Sequence, residues 1–296
     1  MQSKSKHKRI LLLLIFTILT IMAVVVWRSF IFVIVEEEEI PMSALNELKK
    51  AINLIPSGGV LELDNKIYDL HNTTTNIDKP IKIVGEGKII NGCIMIKNTS
   101  DVIIRDVETE SLFIKISSSA NITIENCKFN ELISDVQGFI SFEGSCNDIK
   151  LLNNIFKNVS YISSSSTYGC GIKIEINNDN SVTTMDNITI SNNYFSNIHG
   201  PAAIWIGGYN VTYNDLVIDS NEIKDTESFG IEFYHVDNKI KGKLKFNNCF
   251  VTNNNICDIG SVRERNKGAG CGGIYNNITE SGIYVINNEV KRVREV

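Results

Sequence analysis

A twelve-residue pattern returns six times along this chain, and it limits the folds available more than any other feature. The clearest copies are N-I-T-I-E-N-C-K-F-N-E-L (Asn121 to Leu132), D-I-K-L-L-N-N-I-F-K-N-V (Asp148 to Val159) and N-I-T-I-S-N-N-Y-F-S-N-I (Asn187 to Ile198). D-L-V-I-D-S-N-E-I-K-D-T follows from Asp215, with weaker copies from Cys249 to Gly260 and from Gly282 to Val293. The starts lie 27, 39, 28, 34 and 33 residues apart. A second signal alternates with the first: G-F-I-S-F-E-G from Gly138, G-I-K-I-E-I-N from Gly171, A-A-I-W-I-G-G from Ala202, G-I-E-F-Y-H-V from Gly230 and G-G-I-Y-N-N from Gly272. Earlier turns, at Ile94 to Ile96, Val102 to Ile104, Leu112 to Ile116 and Asn121, recur about every 19 residues.

Each segment is apolar at alternate positions, so each buries one face of a strand. Gly or Asn ends each one, and both tolerate left-handed turn conformations. Strands of one kind that recur this far apart do not form hairpins with their neighbours. They stack in parallel on the same strand of the next turn. The alternative, an antiparallel sandwich, does not account for two strand signatures alternating in fixed order. The chain holds 35 Asn and only 4 Pro. Asn after each strand is expected to stack, amide on amide, into a ladder.

Ser43 to Leu70 supplies an expected end cap. Ser43 is a plausible N-cap, Leu45, Leu48 and Ile52 share a helix face, and Gly58-Gly59 stop the helix before a first strand at Val60 to Leu63. These repeats and this capping segment resemble the pectin-lyase-like superfamily. The resemblance runs from about Ser43 to Val293. It implies an all-β fold, a right-handed single-stranded parallel β-helix with an N-terminal capping helix, and a groove along one sheet for an acidic or neutral polysaccharide. The N-T-D, G-H-G and R-I-K motifs of polygalacturonases are absent, as are the aspartate-rich calcium site and paired arginines of pectate lyases. No family mechanism therefore carries over residue by residue, and the sequence names no cofactor.

The N-terminus differs in kind. Lys4, Lys6, Lys8 and Arg9 precede 18 uncharged residues, Ile10 to Trp27. The apolar character resumes at Phe30 to Val35, and Glu36 to Glu39 follow. Such a run spans a hydrocarbon core of about 30 Å, and the flanking charges put the N-terminus inside. The expected plan is a tail over 1–9, a transmembrane signal-anchor over 10–35 that makes the membrane a partner, an acidic linker over 36–42 and an extracytoplasmic β-helix over 43–296. A cleaved signal peptide is the competing reading. Outside placement agrees with N-x-S/T sequons at Asn72, Asn98, Asn121, Asn158, Asn187, Asn210 and Asn277, a weak signal in a chain so rich in these residues. A formal charge of -5 argues against a nucleic-acid partner. Seven cysteines (Cys93, Cys127, Cys146, Cys170, Cys249, Cys257 and Cys271) show no zinc-ligand spacing and read as small buried residues, with disulfides between turns as the alternative. No metal site is expected.

Stacking gives the functional expectation. With Ile140, Ile172, Ile204, Ile231 and Ile274 aligned inward, Ser141, Lys173, Trp205, Glu232 and Tyr275 point out. One step further, Glu143, Glu175, Gly207, Tyr234 and Asn277 form a second outward set. Glu143, Glu175 and Glu232 are the candidate catalytic carboxylates, and Lys173, Trp205, Tyr234 and Tyr275 the candidate substrate-binding groups. His199 and His235, at turns flanking the same strands, are further candidate substrate-binding groups. Glu143 and Glu175, about 4.8 Å apart at Cα, are expected to repel, raising the pKa of one. Glycosidases use such carboxyl pairs, and aromatic faces suit sugar rings. Arg263, Arg265 and Lys267 sit in a loop that could grip an acidic sugar. The expected function is to bind or process a cell-envelope or extracellular polysaccharide. The alternative is a non-catalytic structural or adhesion module with an ordinary solvated face. Past Val293 only the charged tail to Val296 remains, and the last strand edge is a candidate for pairing with a second subunit.

Overall fold

A computed structural model describes residues 44–133, 138–160, 169–177, 182–235, 243–260, 272–276 and 282–294. The expected transmembrane segment, the acidic linker, Ser43, Cys271, Asn277 and the Arg263–Lys267 loop lie outside the described residues, as does the side chain of His235. No helix of the described residues is long and apolar enough to cross a membrane.

One helix, α1 (Ala44–Leu54), precedes 25 described strands: β1 (Gly59–Leu63), β2 (Ile67–Ile77), β3 (Ile81–Gly85), β4 (Lys88–Lys97), β5 (Ser100–Arg105), β6 (Glu108–Ser117), β7 (Ala120–Glu125), β8 (Lys128–Ile133), β9 (Gly138–Glu143), β10 (Cys146–Leu152), β11 (Ile155–Ser160), β12 (Cys170–Asn177), β13 (Thr183–Ser191), β14 (Tyr194–Ile198), β15 (Ala202–Tyr209), β16 (Val211–Asn214), β17 (Val217–Asp219), β18 (Glu222–Thr226), β19 (Phe229–His235), β20 (Leu244–Asn247), β21 (Cys249–Thr252), β22 (Asn255–Ile259), β23 (Gly272–Asn276), β24 (Ile283–Ile286) and β25 (Glu289–Val293). One sheet stacks β1-β3-β5-β7-β10-β13-β17-β21-β24. The other runs β23-β19-β15-β12-β9-β6-β8-β11-β14-β18-β22-β25. In this second sheet the long strand β6 pairs with β8 through its first residues and with β9 through its last. The pairings along both stacks are parallel, as in β10 with β13 and β12 with β15. Consecutive windings therefore lie one above the next, the plan of a parallel β-helix, and such crossovers wind right-handed.

Three columns of residues with positive φ form the corners. Asp101, Asn121, Asp148, Asn187, Asp215 and Asn248 lead into the first sheet, at φ 51 to 60°. Asp106, Asn126, Asn153, Asn192, Ser220, Asn253 and Asn287 leave it, at φ 54 to 60°. A third column bends the second sheet and includes Glu131, Asn158, Asn197, Asp225 and Asp258. Asn and Asp dominate because they tolerate this region at least cost among residues with a side chain. The twelve-residue repeat is thus two strands folded about a corner, for example β7 then β8. The alignment from Cys249 needs a one-residue correction: Asn248, with Asp215, occupies the corner, and the Asn248 Nδ2 donates to Asp215 Oδ1 at 2.5 Å.

Immediately after the second corner the next Asn turns inward, forming the expected ladder. Nδ2 of Asn154 donates to Asn193 Oδ1 (3.1 Å), Asn193 to Asn221 (3.0 Å), Asn221 to Asn254 (2.9 Å) and Asn254 to Asn288 (2.8 Å). Each Nδ2 also donates to a carbonyl, so the amide is satisfied without water: Ile124 for Asn154, Ile190 for Asn221. Cys127 holds the corresponding place one winding earlier, and its thiol reaches the Ile104 carbonyl at 3.6 Å. The core beside it stacks Phe129 on Phe156 (4.9 Å between centroids) and Phe156 on Phe195 (4.8 Å). At the N-terminal end Leu48 and Ile52 of α1 are buried, as a cap requires. At the other end Val285 and Val290, which sit above the buried Val251 and Ile256, are exposed. The six described cysteines are all free, five of them buried.

Candidate functional site

The stripe expected from the second strand signal lies on β6, β9, β12, β15, β19 and β23. Ile140, Ile172, Ile204, Ile231 and Ile274 share one register, as expected, so the residues after them share the next rung position. The first outward column runs Lys115, Ser141, Lys173, Trp205, Glu232, Tyr275. In the second column Glu175, Gly207 and Tyr234 are consecutive. Glu143 stands over Ser117, and the Ser141–Lys173 rung sets it one winding from Glu175. Lys115 escaped the sequence reading because its strand belongs to the short early windings, although I-K-I-S carries the same alternation.

The stacked carboxylates do not meet each other unopposed. Lys115 Nζ lies 2.8 Å from Glu143, and Lys173 Nζ lies 2.9 Å from Glu175. The two ion pairs line a groove of ≈ 510 Å³ with Ser141, Phe142 and Thr183. The Lys173 ammonium also sits over the Trp205 ring, 5.2 Å from its centroid, a cation–π contact. Tyr234 meets the same indole edge-on at 5.7 Å. Tyr275 stacks on Phe229 at 4.7 Å and stays 40% exposed.

Glu232 behaves differently from the other two carboxylates. It points outward in register with Trp205, yet only 6% of it is exposed. Burial pushes its carboxyl up to about 7, because a desolvated carboxylate is disfavoured against its acid. Desolvation, and not a neighbouring carboxylate, is the cause. Its Oε2 has no hydrogen-bond partner among the described residues. Two further buried atoms of the same column, Ser141 Oγ and Trp205 Nε1, also lack one. Buried polar atoms are rarely left unpaired. Three in one outward column form a row of unmet hydrogen-bonding groups just beneath the surface of the stripe.

The supports beneath the stripe are equally specific. Tyr213 of β16 is buried, and its hydroxyl donates to the Gly207 carbonyl at 2.7 Å, with the Ile174 carbonyl 3.2 Å away. This ties β12 and β15 together under Trp205. A Cβ at Gly208, where φ is +122°, would stand 1.9 Å from the Ile176 carbonyl oxygen, and one at Gly207 would stand 2.2 Å from that of Tyr234. The glycine pair is therefore set by close backbone approach. Nothing in the sequence marks Tyr213 for this role, since its partners are main-chain atoms on other windings.

His199 lies in the turn before β15, with Nε2 2.7 Å from Asn197 Oδ1. It belongs to a corner amide stack, in which Asn197 Nδ2 donates to Asn158 at 2.7 Å. His235 ends β19, opposite Gly208. Among the described residues no group of three or more metal-ligating side chains converges.

The windings, the register and the corner columns define a right-handed parallel β-helix. No protein-family model matches the chain, and no curated protein matches it. Solved structures similar to it include an endo-xylogalacturonan hydrolase from Aspergillus tubingensis, at 12% identity over 83% of this chain and 91% of that one, with a TM-score of 0.43. A pectate lyase from Bacillus sp. N165 in complex with trigalacturonate is similar at 15% identity, over 81% and 85%, with a TM-score of 0.43. A surface adhesin of Streptococcus pneumoniae is similar at 11%, over 84% and 87%, with a TM-score of 0.35.

Proposed function

We propose that this chain binds a cell-envelope or extracellular polysaccharide along the β9–β12–β15–β19–β23 stripe and processes it with Glu232 as the proton donor. The observation that carries this reading is the row of unpartnered buried atoms, Ser141 Oγ, Trp205 Nε1 and Glu232 Oε2, beside the groove and the exposed aromatic Tyr275. A carboxyl titrating near 7 holds its proton long enough to protonate a glycosidic oxygen at neutral pH. Glu175 is the candidate partner, two rungs and two residues away, at about 12 Å between Cα atoms by ladder spacing. The wider carboxyl spacing of inverting enzymes, about 6.5–9.5 Å, is the geometry such a pair would approach. In this reading the apolar run at 10–35 anchors the chain, with the β-helix outside the cell.

A non-catalytic binding module is the second reading. It is favoured by the ion pairs that tie up both Glu143 and Glu175, leaving one carboxyl poised instead of two. A glycan array with reducing-end and unsaturated-sugar assays separates the readings. Glycan binding that drops at least about tenfold in Trp205→Ala, with product that disappears in Glu232→Gln, is expected. Binding without product from any bound glycan would leave the module. Absence of glycan binding would end both.

A further inference from the structure

Resting on that glycan reading, we infer that the stripe takes a polysaccharide without carboxylates and discriminates against polyuronates. The cations that line the groove are already neutralised. Lys115 is held by Glu143 and Lys173 by Glu175, and Lys173 also rests on the Trp205 face. In the two outward columns of the stripe, three carboxyl groups face two ammonium groups, and Glu232 has no ion-pair partner among the described residues. A polyuronate brings one negative charge per sugar into this row. Each charge would meet Glu143, Glu175 or the ionisable Glu232 with no spare cation beside it among the described residues, and like charges close together near a low-dielectric surface are costly.

The unmet hydrogen-bonding groups point to the same ligand. Trp205 Nε1 only donates, Ser141 Oγ donates or accepts, and Glu232 Oε2 accepts when ionised and can donate when protonated. A sugar hydroxyl is both donor and acceptor, so its chemistry complements each of the three in either state of Glu232. A uronate carboxylate is acceptor-only and leaves an ionised Glu232 facing a second anion. The two ion pairs become gatekeepers that cancel the basic charge a uronate-binding groove needs.

The test is calorimetric titration of the full-length chain at two salt concentrations with three probes: a soluble uncharged β-glucan, polygalacturonate and alginate. The uncharged polymer is expected to bind at least about tenfold tighter than either polyuronate, with an affinity insensitive to salt. A second arm uses Glu143→Gln combined with Glu175→Gln, which removes the carboxylates that pair with Lys115 and Lys173. This variant is expected to gain about tenfold or more in polygalacturonate affinity, with a salt dependence the parent lacks. A parent that binds a polyuronate as tightly as the uncharged polymer overturns the inference while leaving the glycan reading intact. Equally weak polyuronate binding by the double variant also overturns it, since the ion pairs then are not what excludes acid. Binding of none of the three probes sinks the glycan reading and this inference together.

Discussion

At the scale of single residues, Glu232 ties stability to proton uptake. Its folded-state value near 7 lies above its ordinary value of 4.5, because the folded site prefers the acid form. The folded state therefore holds a proton that the unfolded chain releases. Glu232 costs nothing below about pH 4.5; the penalty grows as pH rises and is complete above about 7, reaching up to about 3 kcal/mol. Glu232→Gln stays neutral throughout. Its stability by chemical denaturation should match the parent near pH 4 and exceed it by up to that amount at pH 8; a pH-independent difference would refute the burial argument. The Asn ladder gives a second residue-scale test. Asn221→Ala removes bonds to Asn193, Asn254 and the Ile190 carbonyl at once, and should cost about 3 kcal/mol in the same measurement. The stripe was legible because alternation fixes which side chains face out, and the identities of Lys173, Trp205, Glu232 and Tyr275 follow from one alignment. The burial of Glu232 was not, because nothing local to that residue reports how deeply an outward side chain is covered.

At the scale of elements, the corner is the unit that the repeats encode. The corner residue that leads into each strand of the first sheet takes positive φ, and in the copies from Asn121 and Asn187 the outward place two residues on is Thr, as in N-I-T-I. That combination writes an N-x-T sequon without reference to glycosylation. All six described sequon asparagines, Asn72, Asn98, Asn121, Asn158, Asn187 and Asn210, have positive φ. The Nδ2 atoms of Asn121 and Asn187 donate to Asp101 and Asp148, and that of Asn158 to Asn130. When the chain is secreted from a glycosylating host, intact-mass analysis is expected to find these three unmodified. A glycan on any of them would mean that its corner opens. Asn192, exposed at φ 56°, isolates the backbone effect: Asn192→Ala should lose about 1 kcal/mol, whereas Asn192→Gly should lose far less. The one-residue slip at Cys249 shows where sequence alignment runs out. F-V-T alone does not choose between Asn248 and Cys249 as the corner; the Asp215–Asn248 contact and the Val217–Phe250 pairing across windings fix it.

At the scale of the whole molecule, the two ends of the coil differ. Leu48 and Ile52 close the first winding, so Leu48→Ala should lower the unfolding midpoint by an amount equivalent to about 3 kcal/mol and promote self-association through the uncovered core. Scattering with denaturant titration reads both. At the far end the column positions of Val285 and Val290 stay open. Fold class was readable from the sequence because a coil repeats its own pattern, while winding length was not, since the segments between faces carry no period.

The amide stack runs Asn154, Asn193, Asn221, Asn254, Asn288, with joints 39, 28, 33 and 34 residues apart. The contact between neighbours is the same whatever the number of residues looped out between them. Copying or excising one complete circuit, such as the 28 residues between Asn193 and Asn221, returns donor to acceptor with no mismatch at the joint. Length along the axis is thus a freely adjustable quantity for a lineage carrying this chain, and the reach of its outer face can grow or shrink by duplication without inventing any new contact.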